Sequence, residues 1–325
     1  MKSKYGRGIL LALGAAFFNG TVGILSKGLF DSDLTASAVS FYKCVFAFIG
    51  LSIIALFNLK IRKEIKRLTK KILHIAICSF LGIFVLYFFE TTGYKYDKVP
   101  YIVFILLGTS VLTTFVFSTI ILKEKKSVMN YIGLVLLVVG LFIMEFASEV
   151  SNAVSIGTLF AAIAGCGYGL FLVLTKKFNL EGGLALIWYF MLFGIIYLFI
   201  PFYKEEIVIP NDSSMPSLIA LAILPTIGGF YCTTKALNFL EANKVQLLEL
   251  TEPLFATLFS YIFLREVISN IEFLGAFLIL FAIYIPEYKL KKENNFSKNK
   301  RRGVIENFIP MSLCFLLLVF LCWMF

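Results

Sequence analysis

Long apolar runs dominate this sequence and decide the solvent in which it can fold. The chain is 59% hydrophobic and only 15% charged, with a mean hydropathy of +0.89. A single aqueous core could not bury so many runs of about 20 apolar residues, the length that crosses a bilayer as a helix. We therefore expect an all-α integral membrane protein with ten transmembrane helices. The predicted spans are residues 8–30, 34–57, 72–94, 99–122, 128–146, 156–174, 184–202, 216–240, 244–263 and 271–286.

The end of the chain adds two further segments to this pattern. Residues 289–307 form a basic linker, and residues 308–325 form another apolar run of about 18 residues. This run predicts one extra C-terminal transmembrane helix beyond the ten.

The basic residues indicate how the helices are oriented. The net charge of +10 could suggest a nucleic-acid partner, but the charges cluster in short segments between apolar runs. Residues 59–71, interpreted as a loop, contain seven Lys or Arg, and residues 289–302 contain another seven. The positive-inside rule places both segments and the N-terminus in the cytoplasm. We expect a multi-pass protein of the cytoplasmic membrane whose partners are lipid, a small-molecule substrate and possibly a second copy of itself, with no nucleic acid.

The reactive residue types favour transport over catalysis. The six cysteines all lie in apolar runs without a CxxC motif, and His74 is the single histidine, so neither a metal nor a cofactor is predicted. A membrane enzyme would need a constellation of catalytic side chains, and a channel usually has rings of like residues. A secondary-active transporter is the preferred interpretation, with a channel or an integral membrane enzyme as the alternative.

The chain also repeats itself. A shift of 142 residues aligns "STIILKEKKSVMNYIG" (118–133) with "SYIFLREVISNIEFLG" (260–275), and a shift of 149 aligns Lys27 with Lys176. Residues 1–150 and 151–288 are thus predicted to be two five-helix copies. Because five is odd, the second copy enters the membrane from the opposite side, and such inverted repeats are typical of secondary transporters.

The repeated segments resemble a known family. A Glu-Pro in the ninth helix (Glu252, Pro253), a Leu-x-Glu at its end (Leu264, Glu266) and the later Gly275 are similar to the EamA-like branch of the drug/metabolite transporter superfamily. The resemblance implies two inverted halves around a central pocket. It also implies alternating-access transport of a small metabolite such as an amino acid, amine or related solute, by export or proton-coupled exchange.

This chain departs from the family pattern inside the predicted pocket. Where the family often has Trp before a small residue, Asn19 precedes Gly20 and Tyr168 precedes Gly169. The substrate therefore cannot be inferred from the resemblance.

The depth of each polar residue along its helix selects the candidate site. Asn19, Ser110, Tyr168 and Glu252 lie within roughly 5 Å of their helix midpoints, where transporters of this type bind substrate. Tyr231 could supply an aromatic wall. The candidate substrate-binding residues are Asn19, Thr109, Ser110, Tyr168, Tyr231, Thr251 and Glu252.

Glu252 is the leading candidate for coupling. It is the one carboxylate among the midplane positions, and carboxylates at that depth commonly take and release a proton or hold a cation. The alternative is structural: Glu252 could accept backbone donors freed by Pro253. Lys43 could pair with Glu252 or snorkel to the interface, and Lys43 and Glu90 are the other coupling candidates.

The eighth helix has two further predicted features, a break and a charged residue with a partner across a turn. Pro225, with Gly228 and Gly229, should break this helix near its middle. Lys235 and Glu249 lie about seven residues on either side of a turn near Ala242, so an antiparallel hairpin predicts that they form a structural ion pair. Snorkelling of Lys235, or its contact with an acidic substrate group, is the alternative.

Overall fold

The computed structural model shows an all-helical chain. It describes residues 2–124, 128–147, 155–180, 183–205, 207–267, 269–279 and 281–282. The α-helices are α1 (Lys2–Asn19), α2 (Val22–Phe30), α3 (Ala36–Phe57), α4 (Leu59–Leu68), α5 (Ile72–Ser79), α6 (Leu86–Tyr96), α7 (Val99–Ile121), α8 (Val128–Ala147), α9 (Ile156–Lys177), α10 (Leu184–Lys204), α11 (Met215–Leu221), α12 (Phe230–Ala236), α13 (Ala242–Glu249), α14 (Glu252–Leu264) and α15 (Asn270–Ile279).

Within the described residues, seven helical stretches are long and apolar enough to cross a membrane. Three shorter apolar helices, Val128–Ile143, Glu252–Leu264 and Asn270–Ile279, lie where the fifth, ninth and tenth spans are predicted. The protein is therefore a multi-pass membrane protein with between seven and ten apolar helices in the described residues. The predicted linker 289–307 and the extra helix 308–325 lie outside those residues.

Three predicted boundaries are wrong in detail. Residues 59–71 are not a loop: Asn58 caps α4 by accepting from the backbone N–H groups of Lys60 and Ile61. The first span is interrupted between α1 and α2, and the ninth is interrupted between α13 and α14. Each interruption ends one helix within the bundle, where the freed backbone groups need polar partners.

The repetition predicted from sequence appears in the local backbone geometry. Lys123 and Arg265, which are 142 residues apart, both adopt the left-handed conformation, with φ values of 55° and 56°. The next residue in each copy bonds back to the same place: Glu124 N–H donates to the Ser118 carbonyl at 3.2 Å, and Glu266 N–H to the Ser260 carbonyl at 3.4 Å. This shared helix ending is direct structural support for two copies of one unit.

A widened helical turn is also repeated. The π-helical segment Phe80–Val85 joins α5 to α6, and the π-helical segment Ala222–Gly229 joins α11 to α12, 142 residues later. Pro225 was expected to break the eighth helix. The chain instead continues as a helix through Pro225, because a wider turn leaves room for the proline ring without interrupting the helical path.

The bundle has two ends with different contacts. At the Glu266 end, Lys27 of α2 forms an ion pair with Glu266, and the Val99 N–H donates to the same carboxylate. At the Lys176 end, the Lys176 ammonium donates to the carbonyls of Leu237 and Leu240. Between these ends, α7 and α9 approach closely, because Gly165 and Gly169 leave no side chain against the α7 backbone.

Candidate functional site: a cavity within the helix bundle

A cavity with a few polar groups on a mostly apolar wall lies in the middle of the bundle. Its free volume is about 30 Å³, room for about two water molecules. Its lining combines two carboxyl groups, one ammonium group, an amide, two tyrosines and a threonine with an apolar remainder. The lining residues are Asn19, Val22, Lys43, Leu86, Tyr87, Glu90, Leu106, Leu107, Tyr168, Pro225, Thr226, Phe230 and Glu252.

The two helix interruptions place Asn19 and Glu252 in this cavity. Asn19 is the last residue of α1, and Glu252 is the first residue of α14, with Pro253 behind it. The Asn19 side chain lies beside the Glu252 carboxyl group in the lining. Glu252 is only 4% exposed and lines this cavity.

Lys43 and Glu90 complete the charged lining. The Lys43 ammonium lies 3.7 Å from the centre of the Tyr87 ring and 3.5 Å from the Thr91 hydroxyl. Glu90 accepts a hydrogen bond from the Tyr94 hydroxyl at 3.0 Å. Among the described residues Lys43 forms no ion pair within 4.0 Å, so the predicted direct pairing with Glu252 is not observed. The cation–π contact holds the ammonium at the wall instead.

Four of the predicted substrate-binding residues do not line the cavity. Thr109 donates to the carbonyls of Ile105 and Leu106 and packs against Gly165. Thr251 donates to the Leu248 carbonyl. Ser110 is fully buried, and Tyr231 packs against the apolar core. The sequence selects Ser110 by its depth, Thr109 and Thr251 as neighbours of midplane residues, and Tyr231 as an aromatic wall, but none of these criteria fixes the direction of a side chain around its helix.

The predicted ion pair between Lys235 and Glu249 is absent from the described residues, where Glu249 has other partners. Thr233 and Tyr168 donate to its two oxygens, each at 2.6 Å. Lys235 is two residues after Thr233 and so points roughly 200° away around the helix. Its ammonium lies beside Gly183, at the start of α10. The hairpin placed the two residues at similar depth but on different faces.

Glu249 lies directly behind the cavity wall. Tyr168 both lines the cavity and donates to Glu249, which is fully buried. Tyr168 and Glu249 are each candidates from the sequence, but no spacing in the sequence connects them. The spacing of three residues between Glu249 and Glu252 does indicate that two carboxyl groups lie close to the same cavity.

The arrangement has the chemistry of a binding site for small charged solutes and protons. Two carboxyl groups can hold a cationic group or exchange protons, and the ammonium of Lys43 can hold an anionic group. Among the described residues no group of three or more His, Cys, Asp or Glu lies close enough to hold a metal ion.

Comparison with known proteins identifies the family. The sequence profile of the EamA-like transporter family matches residues 6–146 and 155–286, which is most of the chain and includes both copies of the repeat. The chain belongs to the EamA-like transporter family. It is a membrane transporter and not an enzyme.

The curated relatives of this EamA-like protein are distant. An uncharacterized transporter of Haemophilus influenzae is 26% identical over 86% of this chain and 94% of its own length. An uncharacterized transporter of Clostridium kluyveri is 23% identical over 73% of this chain and 78% of its own length. For an uncharacterized transporter of Archaeoglobus fulgidus, 24% identical, the match covers 51% of this chain and 60% of that protein.

A solved structure supports the same fold for this EamA-like chain. It is 14% identical in sequence and superposes with a TM-score of 0.68, over 88% of this chain and 98% of the other. At this identity the likeness concerns the fold alone.

Proposed function

We propose that this transporter carries a small amine-bearing metabolite, such as an amino acid, an amine or a related solute, across the cytoplasmic membrane by proton-coupled alternating access. The observation that supports this most is the cavity in which Glu252, Glu90 and Lys43 meet. The cavity is the substrate site, and Glu252 carries the coupling proton.

The charges of the cavity favour a substrate with a cationic group. Two carboxyl groups and one ammonium group line it, so an incoming amine has acidic partners at Glu252 and Glu90. A carboxylate on the same solute would find Lys43, which is 1% exposed and held over Tyr87. The apolar wall of Leu86, Leu106 and Phe230 would contact the remainder of the solute.

Alternating access is supported by the different contacts at the two ends. The Leu-x-Glu segment of the second copy lies at the Glu266 end, where Glu266 joins α2 and the start of α7. The corresponding Glu124 of the first copy interacts electrostatically with Lys176 at the other end. Equivalent segments at opposite ends are the arrangement expected of an inverted repeat. By the positive-inside rule, the Lys176 end faces the cytoplasm and the Glu266 end faces outward.

Glu252 suits the coupling role because of where it lies. A carboxylate enclosed in a dry bundle is costly, whereas the same group facing water is not. Protonation of Glu252 would therefore favour the closed arrangement, and opening of the cavity would favour release of the proton. Proton binding and conformation are then linked, which is the requirement for coupling.

Reconstitution of the purified protein in liposomes tests this proposal. We expect a pH gradient to drive accumulation of at least one radiolabelled amino acid or amine from a small panel. Glu252→Gln, which keeps the shape and removes the titrating group, should abolish pH-driven accumulation while exchange of internal for external solute survives.

A matched carboxyl group provides the control. Glu272 is also buried, but it bonds to the Ser269 N–H and lies 3.8 Å from Lys98, away from the cavity. Glu272→Gln should retain pH-driven accumulation. If Glu252→Gln accumulates solute as the wild type does, Glu252 is structural and the coupling proposal is wrong.

A further inference from the structure

A second carboxyl group, Glu249, is buried just outside the cavity and has no role in the transport cycle described so far. It ends α13, and the break at Leu250 and Thr251 separates it from Glu252 at the start of α14. Glu249 is fully buried and does not line the cavity. Its two oxygens accept from the hydroxyls of Tyr168 and Thr233.

The surroundings of Glu249 contain hydroxyl groups but no compensating cation in the described part of the chain. Tyr168 of α9, Cys232 of α12 and Glu252 of α14 are the titratable groups that interact with it. The titratable residues of α1 all fall within its first seven positions, and Tyr101, the one titratable residue of α7, lies near the Glu266 end. Lys235 of α12 points to Gly183. An unpaired buried carboxylate is costly, so a proton is the natural partner of this group.

Tyr168 connects Glu249 to the cavity. Its ring lines the cavity, while its hydroxyl lies 2.6 Å from Glu249 and 3.5 Å from the Thr233 hydroxyl. A single side chain thus contacts both the space where solute would bind and the carboxyl group behind the wall. A hydroxyl in this position can pass a proton without holding a charge, since it gives one and receives another.

Gln246 extends the polar path in the other direction. It is fully buried, and neither its amide nitrogen nor its amide oxygen has a hydrogen-bond partner among the protein groups described. Gln246 is three residues before Glu249, on the same face of α13 and about 4.5 Å nearer the Lys176 end. Buried amides of this kind are normally satisfied by ordered water. An ordered water beside this amide would form a polar step between Glu249 and that end of the bundle.

We propose that Glu249 is a second proton-binding site, which Tyr168 connects to the cavity and which the hydrated position beside Gln246 connects to the Lys176 end. In the transfer step, the Tyr168 O–H bond breaks as its proton bonds to a Glu249 oxygen. At the same time the Tyr168 oxygen receives a proton from cavity water or from the Glu252 carboxyl group. Tyr168 is neutral before and after, Glu249 gains one proton, and the donor loses one.

This inference rests on the proposed proton coupling and adds a second titrating group to it. The two carboxyl groups would exchange protons with different sides: Glu252 with the cavity, and Glu249, once it has received its proton through Tyr168, with the Lys176 end. A proton could then leave toward the Lys176 end while the cavity itself stays closed to that end. The cycle would move up to two protons for each opening of the cavity.

Infrared difference spectroscopy of the full-length protein in lipid, recorded during a pH titration, tests the proposal without knowledge of the substrate. The carbonyl stretch of protonated carboxyl groups should include separate contributions from Glu249 and Glu252. Glu249→Gln should remove one and leave the other, whereas Glu252→Gln should remove the other. Loss of no band in Glu249→Gln would overturn the inference. Loss of the Glu249 band alone, with no band from Glu252, would overturn the coupling role of Glu252 and leave the inference standing.

The path is tested by kinetics. After a pH jump, Tyr168→Phe should retain both bands but slow proton exchange between the cavity carboxyl and Glu249 by at least about tenfold, because the relaying hydroxyl is gone. Gln246→Leu should slow exchange of Glu249 with the bulk by a similar factor. Glu272→Gln, the control outside the path, should change neither rate. Unchanged rates in Tyr168→Phe and Gln246→Leu would contradict the proposed path. This test does not depend on Glu249→Gln, so it still applies if that variant fails to fold.

Discussion

The two ends of the bundle carry equivalent sequence motifs but make different contacts. At the Glu266 end, Glu266 of the second copy pairs with Lys27 of the first copy and accepts from the Ser260 hydroxyl and the Val99 N–H. At the other end, the positional counterpart of Lys27 is Lys176, whose ammonium donates to the carbonyls of Leu237 and Leu240.

The difference between the ends bears on the proposed alternating cycle, which requires one repeated unit to support two states. Lys176 interacts electrostatically with Glu124, the counterpart of Glu266. The helix endings at Lys123 and Arg265 have the same backbone geometry. The parts needed for a charged contact between the copies are thus present at both ends. The structure holds the Glu266 end through a side-chain ion pair and the Lys176 end through backbone carbonyls, as expected of one state in an alternating cycle.

The largest effect is expected from reversing a charge in the Lys27–Glu266 pair. The side chains of Lys27 and Glu266 are 24% and 14% exposed, so the pair is largely shielded from water. Lys27→Glu places two carboxylates together and should reduce transport of the solute found in the liposome assay by at least about tenfold. The double variant Lys27→Glu with Glu266→Lys should recover part of the loss. Recovery is incomplete because Ser260 and the Val99 N–H lose their acceptor.

An exposed lysine at the same end is the control for this prediction. Lys98 is 49% exposed and lies 3.8 Å from Glu272. Because exposed pairs contribute at most about 1 kcal/mol, Lys98→Glu should change transport only a few-fold. Equal losses in Lys27→Glu and Lys98→Glu would mean that net charge at this end matters and the specific pair does not.

A smaller effect is expected at the Lys176 end. Lys176→Met keeps an apolar stem but removes the donor from two carbonyl groups, which should lower the free energy of unfolding by about 1–3 kcal/mol. Thermal unfolding of the purified protein measures the change. The exposed neighbour Lys177 provides the comparison, since Lys177→Met should leave the unfolding temperature unchanged. A drop of the same size in both variants would argue against a specific role of the Lys176 contacts.

The smallest effect is expected from the glycines of the two π-helical segments. A methyl group at Gly82 would overlap the Phe171 ring, whereas at Gly228 it would meet the Ile223 carbonyl oxygen at a slightly tight 3.3 Å and Phe18 at 3.4 Å. Overpacking costs about 1–3 kcal/mol, and alanine regains about 1 kcal/mol over glycine in a helix. Gly82→Ala should therefore lower the unfolding temperature slightly, and Gly228→Ala should leave it equal or raise it. A larger drop in unfolding temperature for Gly228→Ala than for Gly82→Ala would contradict this packing of the two segments.

Much of the fold could be predicted because bilayer length and repetition leave strong signals in the sequence. The apolar runs gave the helices, and the 142-residue shift found helix endings that share one backbone geometry, at Lys123 and Arg265. The helix breaks were not predicted. An apolar run looks the same whether it continues through Gly20 or stops there, and the interruption depends on what the neighbouring helices offer the freed backbone.

The cavity was predicted in part because depth can be read from sequence but direction cannot. Asn19, Tyr168 and Glu252 do line it, as do Lys43 and Glu90. Ser110 has the same predicted depth but faces away from the cavity. Depth does not fix direction, because each step of one residue along a helix turns the side chain by about 100°. Glu249 and Lys235 lie at similar depth, as predicted, but they are not partners in the described residues.

The central claim is that the two ends open and close in opposite senses around the cavity. Spin-label distances across the copies test it, with labels introduced as unnatural amino acids because the chain has six cysteines. One pair joins the exposed positions Asp31 and Asn270 near the Glu266 end, and the other joins Val128 and Asn179 near the Lys176 end. The Glu252→Gln variant is compared with the wild type at a pH where Glu252 is ionised. We predict that one of the two distances is longer in the variant and the other is shorter. Distances that change together, or do not change at either end, would contradict the account.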